Sequence, residues 1–158
     1  MVELQSIALD QLMQRCHAMT VSYLRTQQVG DDCYCLELFR RAVQDHDENA
    51  WAFIYTTYST EEFLGEHYIL KWVRSWFNGR HGAAIRSAYT EDEVVHEVWM
   101  RFAQSEAARS FNFLTMSQLM SYLRRLINNF MMDIARRRSL HVIESSTEQE
   151  ASHVEQLL

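Results

Sequence analysis

The sequence predicts an all-α fold, a compact helical bundle of about five to six helices, and three observations lead there. The 158 residues contain no proline and only four glycines, so the residues that break helices are nearly absent. Hydrophobic residues make up 47% of the chain, enough to fill a sizeable core and too many for a disordered protein. Apolar residues also recur at helical spacing along most of the length, with no internal repeat and no long low-complexity segment.

Residues 4–27 open the series with Leu4, Ile7, Ala8, Leu12, Cys16, Met19, Tyr23 and Leu24 on a helical period. Gly30, Asp31 and Asp32 form a break. Leu36, Phe39 and Val43 mark a second helix over 34–46. Asp47 to Asn49 supply a cap for a third, from about Glu48 to Tyr58, through Trp51, Phe53, Ile54 and Tyr55. A fourth runs over 61–77 with Phe63, Leu64, Tyr68, Ile69, Trp72, Val73 and Trp76. Asn78-Gly79-Arg80-His81-Gly82 is the clearest loop. Thr90-Glu91-Asp92-Glu93 then fits a capping box, with a hydroxyl N-cap and an acid three residues on. Its acids also suit the positive end of the helix dipole. The apolar face of that fifth helix is Val94, Val95, Val98, Trp99 and Phe102, and its outer face is Glu93, His96, Glu97 and Arg101. Residues 107–116 read as irregular. Ser117 is placed to cap a last helix over 118–138, with Leu119, Tyr122, Leu123, Leu126, Ile127, Phe130, Met131 and Ile134 inward. The chain therefore divides into an N-terminal helical extension (1–34), a helical domain (35–138) and a polar, acidic tail or linker (139–158).

The formal net charge is −6, but it is not evenly spread. Residues 90–106 hold Glu91, Asp92, Glu93, Glu97 and Glu106 against Arg101. Residues 122–138 hold five of the fifteen basic residues, Arg124, Arg125, Arg136, Arg137 and Arg138, against Asp133. Residues 139–158 hold four glutamates and no Lys or Arg. A segregated basic face sets its own local field, so the overall acidity does not exclude a nucleic-acid partner.

In the last helix, Arg124 with Asn128 and Arg125 with Asn129 are spaced i, i+4, and each pair lies on one side. Arginine forks meet phosphates and asparagine amides read base edges. The preceding loop places Asn112 between Phe111 and Phe113, and aromatic rings beside a basic helix stack on unpaired bases at about 1–3 kcal/mol each. The plainer alternatives stay open from the residues alone. The arginines would be a solvated surface near a helix C-terminus that favours cations, and the two phenylalanines would anchor the loop in the core. For Glu93, His96 and Glu97 the alternatives are a solvated face or a docking face for a basic partner.

The chemistry of an enzyme is thin. His96 with Glu93 or Glu97 lacks a second histidine at metal-ligand spacing, and Cys33-x-Cys35 is too tight for a zinc pair and has no second pair. There is no P-loop, dinucleotide fingerprint or nucleophile elbow. The expectation is a non-enzyme with no cofactor and no metal. No apolar run approaches the roughly 20 residues that span a bilayer, and MVELQSIALDQ lacks the features of a signal peptide. Cys16, Cys33 and Cys35 cannot all pair within one chain, and are expected as reduced thiols in a cytoplasmic protein.

Taken in order, these pieces resemble region 2 of bacterial RNA polymerase sigma factors, in particular the extracytoplasmic-function group. The likeness covers about residues 36–138. Thr90-Glu91-Asp92-Glu93-Val94-Val95-His96-Glu97-Val98-Trp99 resembles the family's acidic helix. Tyr122-Leu123-Arg124-Arg125-Leu126-Ile127-Asn128-Asn129, continuing through Asp133 to Arg136-Arg137, resembles its DNA-contacting helix. Leu36 to Val43 and Glu48-Asn49-Ala50-Trp51 are similar to the entry helix and region 2.1. The resemblance implies a sigma region 2-like fold, and docking of the acidic helix on the β′ clamp helices of core RNA polymerase through Glu93, His96 and Glu97, with Asp92 nearby. It implies that the loop and last helix grip the non-template strand of the promoter −10 element as it melts. Phe113, Tyr122, Arg124 and Asn129 would form or support a pocket for a flipped base, and Arg125, Arg136 and Arg137 would hold phosphates. An anti-sigma factor is a further implied partner. The sequence departs from the family pattern at His96, usually glutamine, and Tyr122, usually tryptophan. Residues 1–34 exceed the usual lead. Residues 139–158 are too few for region 4, so the expectation is a piece ending before that domain, or a divergent factor with another module. The alternative function is a sigma-like interaction module that binds polymerase or a regulator without melting DNA. A helical adaptor unrelated to that family would do neither.

Overall fold

The computed structural model describes residues 3–26, 31–60 and 68–157. All regular structure among them is helical. A 3-10 turn at Leu4–Ser6 leads into α1 (Leu9–Thr26), α2 (Cys33–Gln44), α3 (Glu48–Ser59), α4 (Tyr68–Phe77), α5 (Gly82–Arg86), α6 (Glu91–Gln104), α7 (Glu106–Ser110) and α8 (Met116–Leu157). No described helix is long and apolar enough to cross a membrane. The expected Gly30 break and the start of the fourth helix, residues 61–67, lie outside the described residues.

The bundle is assembled by pairwise packing. α1 lies on α2, α2 also meets α3 and α7, and α4, α5 and α6 each pack on α8. Leu12, Leu38, Phe39, Ile54, Val98, Phe102, Leu123 and Ile127 are sealed from solvent and unite these elements in one core. Phe39 gathers Tyr58, Trp99 and Phe102 around it at centroid distances of 5.4, 6.2 and 6.2 Å. Trp99 donates its indole N–H to the Ser59 hydroxyl, so the polar atom of a buried ring is satisfied.

The N-terminal segment is fastened through a buried acid. Glu37 is only 6% exposed and accepts from Arg40 Nε and Nη2 at 2.8 Å each and from Arg41 Nε at 3.0 Å. Arg41 Nη2 in turn donates to the carbonyls of Leu4, Gln5 and Ile7 at 3.0, 3.2 and 2.7 Å. Burial pushes the Glu37 carboxyl up, but the hydrogen bonds and charges of Arg40 and Arg41 outweigh it and hold the group below its ordinary range.

The cysteines are not all reduced thiols. α1 docks on α2 so that Cys16 and Cys35 stand with Cα atoms 4.8 Å apart, and their sulfurs form a disulfide. Cys33 is left free. Burial first, then the Asp31 carboxylate beside it, push the Cys33 thiol up to about 11, which suppresses its reactive thiolate.

The described residues form eight α-helices where about five to six were expected, because the short α5 and α7 carry no periodic signal, and three boundaries also differ. Residues 107–116 are not irregular throughout, because Ser105 Oγ accepts from Ala108 N and starts the short helix α7. Thr115, rather than Ser117, caps α8: its hydroxyl accepts from Gln118 N at 3.1 Å, and Gln118 Oε1 accepts from Leu114 N at 2.9 Å. Asp32 adds a long-range cap, accepting from Met116 N at 2.9 Å. Finally, residues 139–157, read as a loose tail or linker, continue α8. Polarity alone does not end a helix, and this stretch offers no proline or glycine to break one.

Candidate nucleic-acid and protein interfaces

α8 carries the basic residues in two rows. At about 100° per residue, Arg125, Asn129 and Arg136 fall within about 40° of one another. All three are exposed, as is Arg137. Arg124 and Asn128 lag by one position each and form a second row, turned about 100° toward α4. There Arg124 lies over the Trp72 ring at 5.7 Å, and Asn128 Oδ1 accepts from Trp76 Nε1 at 2.9 Å. Trp76 stacks on His81 with centroids 6.0 Å apart. The two i, i+4 pairs are therefore not equivalent. One lies open to solvent, and the other has an asparagine oxygen engaged by a tryptophan. Arg138 is engaged as well, donating to the Ser87 carbonyl at 2.8 Å and fixing α8 to the end of α5.

The loop between α7 and α8 alternates. Phe111 takes a left-handed conformation, φ 41°, and turns the chain out of α7. That conformation is costly for a phenylalanine, and ring packing offsets it. Phe113 lies 5.4 Å from Phe111, 5.7 Å from Tyr122 and 6.4 Å from Phe102. Phe111, Phe113 and Tyr122 are half-buried and rest on the core through Phe102. Asn112 and Leu114 point outward between them, and Leu114 is 78% exposed. Tyr122 sits about 60° around α8 from Arg125 and about 20° from Asn129, so the aromatic ledge borders the open row. Phe113, Tyr122 and Asn129 are thus brought to one flank, while Arg124 is on the other. Leu114 was not singled out in the sequence; the alternation of Phe111, Asn112, Phe113 and Leu114 carried the signal.

On α6 the capping box is complete: Thr90 Oγ1 accepts from Glu93 N at 3.2 Å, and Thr90 N donates to Glu93 Oε1 at 3.4 Å. Glu91 pairs with Arg74 at 3.5 Å. Glu97 accepts from Arg101 Nε at 3.2 Å, and that guanidinium lies 4.2 Å over the Phe130 ring. Asp92 and His96 are exposed on successive turns, followed at the same i+4 step by Met100, 44% exposed. Met100 adds an apolar contact to the acidic face that charge patterning did not single out. Of the four acidic-face candidates, Glu93 and Glu97 already serve the helix itself, and Asp92 and His96 present their polar atoms outward. No family model, curated protein or solved structure matches the chain.

Proposed function

We propose that this chain is a sigma region 2-like domain, with residues 35–138 as its working part. In this role it binds core RNA polymerase through the outer face of α6 and holds the unpaired non-template strand of a promoter −10 element along α8 and the 111–115 loop. The observation that carries the proposal is the open Arg125, Asn129 and Arg136 row beside the Phe113 and Tyr122 ledge. Cations for a backbone and flat rings for bases on one flank suit a single strand better than a duplex. The acidic α6 face, with Asp92, His96 and Met100 outward, gives the charge complement for a basic helical partner such as the β′ clamp helices. An anti-sigma factor would compete for the same faces. The site of action is the cytoplasm, and the role needs no cofactor, metal or catalytic residue.

The test uses the protein bound to core polymerase and fluorescent single-stranded DNA from a random-sequence pool. Asn129→Ala is expected to erase sequence preference. Arg125→Ala and Arg136→Ala are expected to weaken binding to all sequences and to lower the salt slope by about 0.7 per lost phosphate contact. Unchanged preference and slope in complexes that have formed would refute the DNA role. One observation favours the alternative, an interaction module that binds polymerase or a regulator without melting DNA. Phe113 and Tyr122 are packed on Phe102, and Asn128 is held by Trp76, so part of the apparent reading surface serves the fold.

A further inference from the structure

Beside the start of α8, on the flank away from the Phe113 ledge, the bundle is indented by a half-open cleft of about 430 Å³, with Ser117, Ser121 and Arg124 on its exposed side. That lies within the roughly 300–1,000 Å³ of small-molecule sites. Met19 of α1, Tyr58 of α3, Trp72 of α4, and Met116 and Met120 of α8 give it a soft, largely apolar wall. Methionines adapt to irregular apolar shapes, which suits a ligand rather than one fixed core side chain.

The polar groups are ordered along it. Ser117, Ser121 and Arg124 line the cavity at i, i+4 and i+7 of α8, so three donors form one edge. Neither serine makes a side-chain hydrogen bond within the described residues, and the Arg124 guanidinium is held over the Trp72 ring. Of the other polar groups of the wall, which include the Tyr23 hydroxyl, Thr20 and Asp32 are engaged. The Thr20 hydroxyl donates to the Cys16 carbonyl at 2.9 Å, and Asp32 accepts from Met116 N. Asp32 stands at the Met116 end, about 12 Å along α8 from Arg124 at 1.5 Å per residue. An anion is therefore favoured at the Arg124 end and an apolar body toward Met116.

We propose that this cavity binds a small amphiphile with an aromatic or branched apolar body and one carboxylate or sulfonate group, its charge held by Arg124 with Ser117 and Ser121. The site rests on the bundle itself and not on the promoter-binding reading, so it stands or falls by its own measurement. The ligand would bridge α1, α4 and α8, and would fix the N-terminal helix against the one that carries the basic row.

The probe is anilinonaphthalene sulfonate, titrated against the full chain at a denaturant concentration on the flat native baseline, with energy transfer from tryptophan as the readout. Its uncharged analogue, N-phenyl-1-naphthylamine, is titrated in parallel. Saturable one-to-one binding of both is expected. Arg124→Gln is expected to weaken the sulfonate probe about tenfold or more and to leave the neutral probe unchanged. Met120→Trp is expected to fill the cavity and abolish both, with a native near-ultraviolet dichroism spectrum as the check of folding. No saturable binding to the native chain would overturn the proposal. So would binding that survives in folded Met120→Trp, or equal affinity of Arg124→Gln for both probes relative to the parent.

Discussion

Reducing the Cys16–Cys35 bond perturbs the fold at one known point, and its cost follows from the structure. The bond closes a loop over a sequence separation of 19 residues. The chain-entropy relation gives about 3 kcal/mol for a loop of that length. For a chain of this size, that corresponds to a fall of about 6–12 °C in Tm. The loss is expected to be no larger, because both cysteines are almost fully buried (1% and 0% exposed) and remain packed as small apolar groups when reduced. Leu12 and the Arg41 contacts to Leu4, Gln5 and Ile7 continue to hold the N-terminal segment. The assay is thermal unfolding by circular dichroism with and without a phosphine reductant, beside thiol titration of the denatured chain. One thiol, Cys33, is expected before reduction, and all three cysteines after it. Three thiols in the unreduced denatured chain, or a Tm unmoved by reductant, would refute the reasoning.

Glu37 makes stability acid-sensitive. Its folded pKa is depressed, so its contribution is complete above the ordinary glutamate value of about 4.3 and drains away as pH falls below it toward the depressed value. Urea midpoints between pH 6 and 3 are expected to fall more steeply for the parent than for Glu37→Gln; parallel curves would contradict this. Asp47 accepts from Asn49 N and Ala50 N at 3.0 and 3.1 Å, and Asp47→Ala is expected to cost about 1 kcal/mol in urea unfolding. Phe113→Leu separates packing from stacking. It preserves most burial and is expected to cost under about 1.5 kcal/mol of stability. In the polymerase complex it is expected to lose about 1–3 kcal/mol of single-strand affinity, read by fluorescence anisotropy.

What was legible in the sequence was chiefly local. The α6 start was readable because Thr90 and Glu93 satisfy each other across three residues, and Asp47 announced α3 in the same way. At the start of α8 the sequence offers two hydroxyls, Thr115 and Ser117, and only the structure shows that Thr115 accepts from Gln118 N. α5 is only five residues long, too short for a periodic signal. At its start Gly82 is required by close approach, since a Cβ there would collide with the Phe77 carbonyl. Tertiary pairings left no mark in the sequence. Cys16 reaches Cys35 only after α1 docks, and Trp76 finds Asn128 from 52 residues away. The candidate interface was found as a set of residues, but its division into an open row and a row against α4 needed the helix packing.

The most direct measurement of the polymerase role is binding to purified core enzyme by size exclusion, comparing the parent with variants chosen to spare the capping box. Glu93→Ala would uncap α6, whereas Glu93→Gln retains a group able to close the box. Asp92→Ala/His96→Ala removes exposed groups whose side chains make no hydrogen bond or ion pair among the described residues. The parent and Glu93→Gln are expected to co-elute with core polymerase, and the double variant, folded by circular dichroism, to elute alone. A folded parent that does not bind core polymerase, or a double variant that binds as the parent does, would contradict docking through α6.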